Sequence, residues 1–274
     1  MIASFILDKK KFNVDLSKPV PVSISLDFYG DQPNTYNVEK AAAKAYETSG
    51  FIGDTRKGGG CNFEEYKIIP HCNGTHTECI GHISYERIYI NDTLKSAFLP
   101  CSLVSVYPES AFETADMYIP GKKENDFLIT KKILEKKLNR IEDIFIEALI
   151  IRTLPNDLSK KSRNYMNVPP PFFSVDAMKY VSERNVRHLI IDIPSVDRTF
   201  DEGKLTAHHI FWETELESHD IDRVHHSDKT ITEMVYVPDY VKDGSYFVNI
   251  QIPDFKSDAA PSRILLYEIF NSES

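Results

Sequence analysis

The sequence predicts an α/β fold, and a few stretches carry that prediction. Ser102-Leu103-Val104-Ser105-Val106-Tyr107 alternates in the manner of a strand. Phe145 to Ile151 is apolar except at Glu147, the pattern of a strand buried on both faces, and Val186 to Ile193 reads as a further strand. Between them lie segments with helical spacing. Thr130 caps a helix through about Glu142, with Ile133, Leu134, Leu138 and Ile141 on one face. Ser174 caps another to about Arg184, with Val175, Met178 and Val181 at the same spacing. Strands alternating with amphipathic helices imply a sheet with helices packed on it.

The remaining elements follow in chain order. Ser4 to Leu7 and Val20 to Phe28 read as strands, and Pro21 restricts the second to a strand start or an edge. Asn37 to Ser49, with its Ala41-Ala42-Ala43-Lys44-Ala45 run and Gly50 as a stop, reads as a helix. Arg56-Lys57-Gly58-Gly59-Gly60 is either a backbone cradle for an anion or a turn, and such runs are more often turns. Glu64 to Pro70 is a strand, and Asp116 to Asp126 is a loop. The strand from Phe145 delivers Arg152 and Thr153 at its end. Pro155 to Pro171, rich in Asn, Ser and Pro, is a long loop of the kind that covers a substrate. No internal repeat or linker interrupts the chain, so residues 1–274 read as one domain.

Composition narrows the partners. The 274 residues carry 32 basic and 41 acidic side chains, a formal charge of -9, which argues against nucleic acid or an anionic membrane as partner. No run is long enough to span a bilayer, and the start has apolar residues before its lysines, the reverse of a secretory signal. Four cysteines are few for a disulfide scaffold. The expectation is a cytoplasmic protein with a small-molecule substrate.

One stretch stands apart chemically. His71-Cys72-Asn73-Gly74-Thr75-His76-Thr77-Glu78-Cys79-Ile80-Gly81-His82 holds three of the chain's nine histidines, two thiols and a carboxylate, with no Lys or Arg. All its ionisable groups are metal-ligand types. Read as an extended segment, alternate residues share a face, which would put Cys72, His76, Glu78 and His82 on one side. Cys79 would then face away, as packing. A single strand rarely closes a metal site, so further ligands must come from elsewhere. His208-His209 is a candidate pair or a surface pair; His219, His225 and His226 read as solvated loop residues and His188 as a hydrogen-bonded core residue. Ser195 lacks the Gly-x-Ser-x-Gly context of a nucleophile elbow.

The stretch resembles the signature of the cyclase family of metal-dependent hydrolases, His-x-Gly-Thr-His-x-Asp followed by a further His. Aligned on Gly74-Thr75-His76, the second His is His76, the carboxylate is Glu78 and the last His is His82. The first His falls on Cys72, with His71 one position early. Other segments match in order: Asp15-Leu16-Ser17-Lys18-Pro19, the turn Asp192-Ile193-Pro194-Ser195-Val196-Asp197, Ala207-His208-His209, Ile231-Thr232-Glu233, and the closing strands around Asp243-Gly244-Ser245-Tyr246 and Pro261-Ser262-Arg263.

The resemblance implies a mixed β-sheet or barrel core with a few flanking helices. It implies a metal site of Cys72, His76, Glu78, His208 and Glu233, holding one or two divalent ions, with zinc favoured over manganese if Cys72 supplies a thiolate. Cys72 could equally leave its coordination position empty, and His71 could serve if the chain bulges there. His82 would be the general base on water and then the acid to the leaving group. Asp192 and Asp197 would orient ligands from behind. The implied reaction is hydrolysis of a carbon–nitrogen amide bond, in an aryl formamide or a cyclic amide. A metal-binding protein without turnover, or a metal-dependent lyase or isomerase, are the alternatives. The resemblance also implies a homodimer or higher homo-oligomer, with the apolar segment Ile2 to Leu7 available for an interface.

Overall fold

A computed structural model of the chain describes residues 1–96, 98–222 and 224–270. Its core is one open, mixed sheet of eleven strands. In chain order these are β1 (Ile2–Leu7), β2 (Lys10–Asp15), β3 (Val20–Pro21), β4 (His76–Cys79), β5 (Leu99–Val106), β6 (Ala148–Thr153), β7 (His188–Ile191), β8 (Thr230–Glu233), β9 (Gly244–Gln251), β10 (Ala259–Pro261) and β11 (Arg263–Phe270). The spatial order is β1-β2-β11-β9-β5-β6-β7-β8-β4-β10, with β3 beside β11. Strands β5, β6, β7 and β8 run parallel, and every other pairing in this sheet is antiparallel. The sheet does not close into a barrel.

The parallel strands are buried along their whole length, including the polar β8, and the apolar runs of β6 and β7 suit that burial. Their alternate residues divide between two cores. After the single-turn helix α1 (Pro70–Asn73) come the longer α2 (Lys131–Leu138) and α3 (Val175–Glu183), and Leu149, Ile151, Leu189 and Ile191 face these two, meeting Leu134, Leu138, Met178 and Val181. Ala148, Ile150 and Ile190 face the other way, toward Val235, Val248, Ile264 and Leu266. Thr130 and Ser174 cap these helices as their sequences indicate, through Ile133 N and Ala177 N.

The segment read as a helix from Asn37 is extended instead. Ala42–Ala45 pairs antiparallel with Glu64–Lys67, and Glu47–Thr48 pairs with Phe51–Ile52. Alanine's helix propensity is small per residue, and this segment has no apolar stripe that a helix could bury. The Gln32 side chain also holds Ala41 by both its N–H and its carbonyl, fixing an extended entry. The Arg56-Lys57 turn is held locally, with Arg56 paired to Asp54. No helix among the described residues is long and apolar enough to cross a membrane.

Candidate metal centre

The sheet changes character where parallel β8 meets antiparallel β4, and the chemistry gathers there. In open α/β sheets, ligands bind beyond the carboxyl ends of the parallel strands, where the winding reverses. Glu233 ends β8 and lies directly opposite His76, which begins β4. The turn after β7 carries Asp197, and the short helix α4 (Thr206–Phe211) carries His208. Thr75 ties the two strands together: its hydroxyl donates to Met234 O at 2.5 Å and accepts from Ile24 N at 2.8 Å.

Residues 70–73, shortly before His76, are not extended. Pro70 starts a single helical turn, Pro70–Asn73, and Asn73 locks it by accepting from Ile69 N at 2.7 Å. The one-face arrangement expected for residues 72–82 is therefore corrected at both ends. Cys72 lies in this turn, and His82 lies in a 3₁₀ turn, Ile80–His82, beyond the four-residue strand. The turn presents His71, not Cys72, to the carboxylates. Cys72 is buried within electrostatic range of Glu233, and its thiol is pushed up to about 11 by burial and by that carboxylate. It joins none of the three groups of ligand-type atoms described below.

The inner part of the site is buried. His76 Nε2 is 3.4 Å from Glu233 Oε2, and its Nδ1 is 3.0 Å from Gly74 O. That carbonyl can only accept, so Nδ1 carries the proton and Nε2 is left bare. Burial, and then His71, push His76 down to about 4, which keeps it neutral. His208 is oriented by Asp197, whose Oδ2 is 2.7 Å from His208 Nδ1. Asp197 also accepts from Ala207 N, His208 N and the Tyr118 hydroxyl, so it fixes the start of α4 and the imidazole together. His208 Nε2 then reaches Glu78 Oε1 at 3.0 Å. Burial opposes a charge on His208, but Asp197 and Glu78 together raise it well above its usual value. Glu233 accepts from Val196 N at 3.2 Å, and burial and the nearby Glu78 charge raise it well above the carboxylate range.

The outer part faces solvent. His71 and His82 are 27% and 28% exposed and Asp258 is 39% exposed. His71 Nε2 lies 3.1 Å from Asp258 Oδ2 and 3.4 Å from Glu78 Oε2. His82 Nδ1 lies 3.6 Å from Asp258 Oδ2 and 3.9 Å from Glu78 Oε2. The His71 and His82 rings stack at 4.5 Å. Asp258 is the participant that sequence reasoning missed. It lies in a polar turn before two alanines, and only the pairing of Ala259 with Glu78 brings it here.

These residues fit a divalent cation. Three groups of ligand-type atoms lie mutually within 4.8 Å: His76 with Glu78 and Glu233, Glu78 with His82 and His208, and His71 with His82 and Asp258. Within the first, His76 Nε2 is buried and has no hydrogen-bond partner. A bare imidazole nitrogen beside two buried carboxylates is costly unless a cation takes that place. The positive charge drawn onto His208 by its acidic neighbours is the charge such an ion would supply.

Of the other histidines, His219, expected to be solvated, is instead half-buried with Nδ1 2.7 Å from Ile83 O, while two others lie as expected. His188 Nδ1 is 2.8 Å from Thr230 Oγ1 in the core, and the His225 side chain is exposed in its acidic loop. Cys79 is buried, away from the ligand groups, with its thiol directed at Ile88 O. The loop Pro155 to Pro171 borders a cavity of about 370 Å³ through Tyr165, Met166, Pro169 and Pro170, and none of the His or Glu ligand candidates lines it.

Known proteins resemble this chain along nearly all its length. The family model described as putative cyclase matches residues 14–198, which includes the motif and ends before His208. A kynurenine formamidase of Bacillus anthracis is 27% identical over 251 residues, covering 92% of this chain and 94% of that protein. One from Bacillus mycoides is 26% identical over 257 residues, covering 93% and 97%. Among solved structures, a predicted metal-dependent hydrolase from Bacillus stearothermophilus superposes with a TM-score of 0.56 at 19% identity, covering 91% of this chain and 98% of that one. Isatin hydrolase A from Labrenzia aggregata gives 0.58 at 14% identity, covering 91% and 93%.

Proposed function

The chain belongs to the cyclase family of metal-dependent hydrolases, and we propose that it hydrolyses a carbon–nitrogen amide bond, in an aryl formamide or a cyclic amide. The observation that carries this reading is His76 Nε2, buried, unpartnered and 3.4 Å from Glu233. His76, Glu78, Glu233 and His208 would hold a divalent ion, zinc or manganese. Such an ion, when bound, polarises a carbonyl and lowers the pKa of water from ~15.7 to ~7.

The chain's own residues do the rest. Asp197 holds the proton on His208 Nδ1 and so keeps Nε2 for the site. His82, part-exposed at the mouth, takes a proton from water as the C–O bond forms and returns it to nitrogen as the C–N bond breaks. The exposed rim of His71, His82 and Asp258 is where substrate enters. The test is a panel of formanilides and cyclic amides with a carboxylic ester as control. Release of an arylamine with formate, or of a ring-opened acid, is expected; turnover of the ester alone would refute the amide assignment.

A second reading is favoured by one observation, the Cys72 thiol that joins none of the ligand groups. A family ligand lost at that position suits a protein that binds metal without turnover. Bound metal with no hydrolysis of any amide in the panel selects it.

We also propose a homo-oligomer. Strand β1 is the sheet's edge, and Ile2 and Ile6 point outward, 56% and 75% exposed. An unpaired apolar edge is stabilised by pairing with a second copy. Light scattering should give a multiple of 31.4 kDa; a mass at the single-chain value across the micromolar range would end the idea.

A further inference from the structure

We propose that Asp258 is the positioning residue for His82: its carboxylate holds the Nδ1 side of that imidazole, leaving Nε2 bare to take and return the proton. The inference rests on the amide-hydrolase reading and adds a residue outside the histidine-rich motif. Its backbone is fixed first. Asp258 O accepts from Cys79 N at 3.0 Å, and the next residue, Ala259, is buried opposite Glu78 on β4. Gly81 lets the His82 turn run hard against it. A Cβ at Gly81 would lie 2.1 Å from Ile88 O and 3.2 Å from Asp258 Cβ, so only glycine permits this approach.

The side chain is then placed between two imidazoles. Asp258 Oδ2 is 3.6 Å from His82 Nδ1 and 3.1 Å from His71 Nε2. His71 Nε2 is the nearer of the two imidazole nitrogens, so the carboxylate is shared between His71 and His82. The other carboxylate near His82, Glu78, is 3.9 Å away and already accepts His208 Nε2 at 3.0 Å. Asp258 is therefore the carboxylate nearer to His82 Nδ1. The 3.6 Å separation is longer than a formed hydrogen bond, and catalytic hydrogen bonds commonly tighten only when substrate is bound. A carboxylate on one ring nitrogen selects the tautomer with the proton there and stabilises the imidazolium that forms in passing. No other reactant is needed: water supplies the proton, and the leaving nitrogen receives it.

The experiment compares wild type, Asp258→Asn and Asp258→Glu by metal content, steady-state kinetics and ¹⁵N NMR of the histidines, with His82 assigned by difference from His82→Ala. Asp258→Asn should lower kcat by roughly 10²-fold with KM and metal content unchanged. Its neutral His82 should move from the Nδ1–H to the Nε2–H tautomer, and Asp258→Glu should restore both in part. Loss of a metal equivalent in Asp258→Asn would make Asp258 a ligand and overturn the inference. So would an unchanged tautomer, whatever happens to kcat. If wild type hydrolyses no amide, the functional reading falls, while the tautomer still decides whether Asp258 holds His82.

Discussion

His82→Ala should retain its metal and lose about 10²–10⁴-fold in turnover, the usual worth of a positioned acid–base group. The expectation comes from where the imidazole lies. His76 is fully buried, with one nitrogen committed to Gly74 and the other facing Glu233. His82 is at the mouth, and both carboxylates near it are farther than hydrogen-bond distance. Removing His76 takes a buried donor from the inner set, so His76→Ala should lose metal and turnover together. Removing His82 takes away a group that water can reach and leaves the inner set intact. Metal analysis beside kcat separates the two variants. If His82→Ala loses metal as completely as His76→Ala, His82 is a ligand and its acid–base role is wrong.

The second large effect is on stability. Lys160→Met should destabilise the fold by about 3–5 kcal/mol, the cost of stranding one partner of a buried ion pair. Lys160 and Asp192 are both buried, 2.8 Å apart. Lys160 Nζ also donates to Thr153 O at 2.6 Å and Thr153 Oγ1 at 3.0 Å. Asp192 accepts from Thr153 N and Oγ1, each at 2.9 Å. This network fastens the loop from Pro155 to the ends of β6 and β7, beside the turn that carries Asp197. Burial already raises Asp192 from its usual value, and without Lys160 its charged form has lost its one cationic partner in this network. Asp192→Asn in the same chain should recover much of the loss. Urea unfolding at neutral pH measures both variants, and a change below about 1 kcal/mol in Lys160→Met would contradict the account.

Much of the site was legible in the sequence because its chemistry is dense. His76, Glu78 and His82 lie within seven residues of one another, and no packing requirement produces such a run. His208 and Glu233 were legible only through resemblance, since one His beside another gives no direction in space. The alternation of Phe145 to Ile151 and Val186 to Ile193 with two capped helices gave the parallel centre of the sheet, because strands buried on both faces are rich in apolar residues.

Two misreadings share a cause. The Ala-rich run at positions 41–45 was read by propensity, yet its pairing with Glu64–Lys67, entered through Gln32, decides its conformation. The residues from Cys72 were read as extended, yet Pro70 at a first helical position was the sign of a turn. That turn is why His71 replaces Cys72 at the carboxylates. Asp258 was invisible for a different reason: a lone acid in a polar turn acquires meaning only from the strand pairing beside it.

The central claim is that a buried imidazole–carboxylate set holds a divalent ion without which the amide is not cleaved. The direct measurement is amide hydrolysis by the purified protein before chelation, after chelation, and after stoichiometric return of zinc or manganese, with metal content determined in each sample. The account predicts turnover that disappears with the metal and returns with it in wild type, and no metal uptake in His76→Ala. Hydrolysis that persists at full rate in metal-free protein would contradict it.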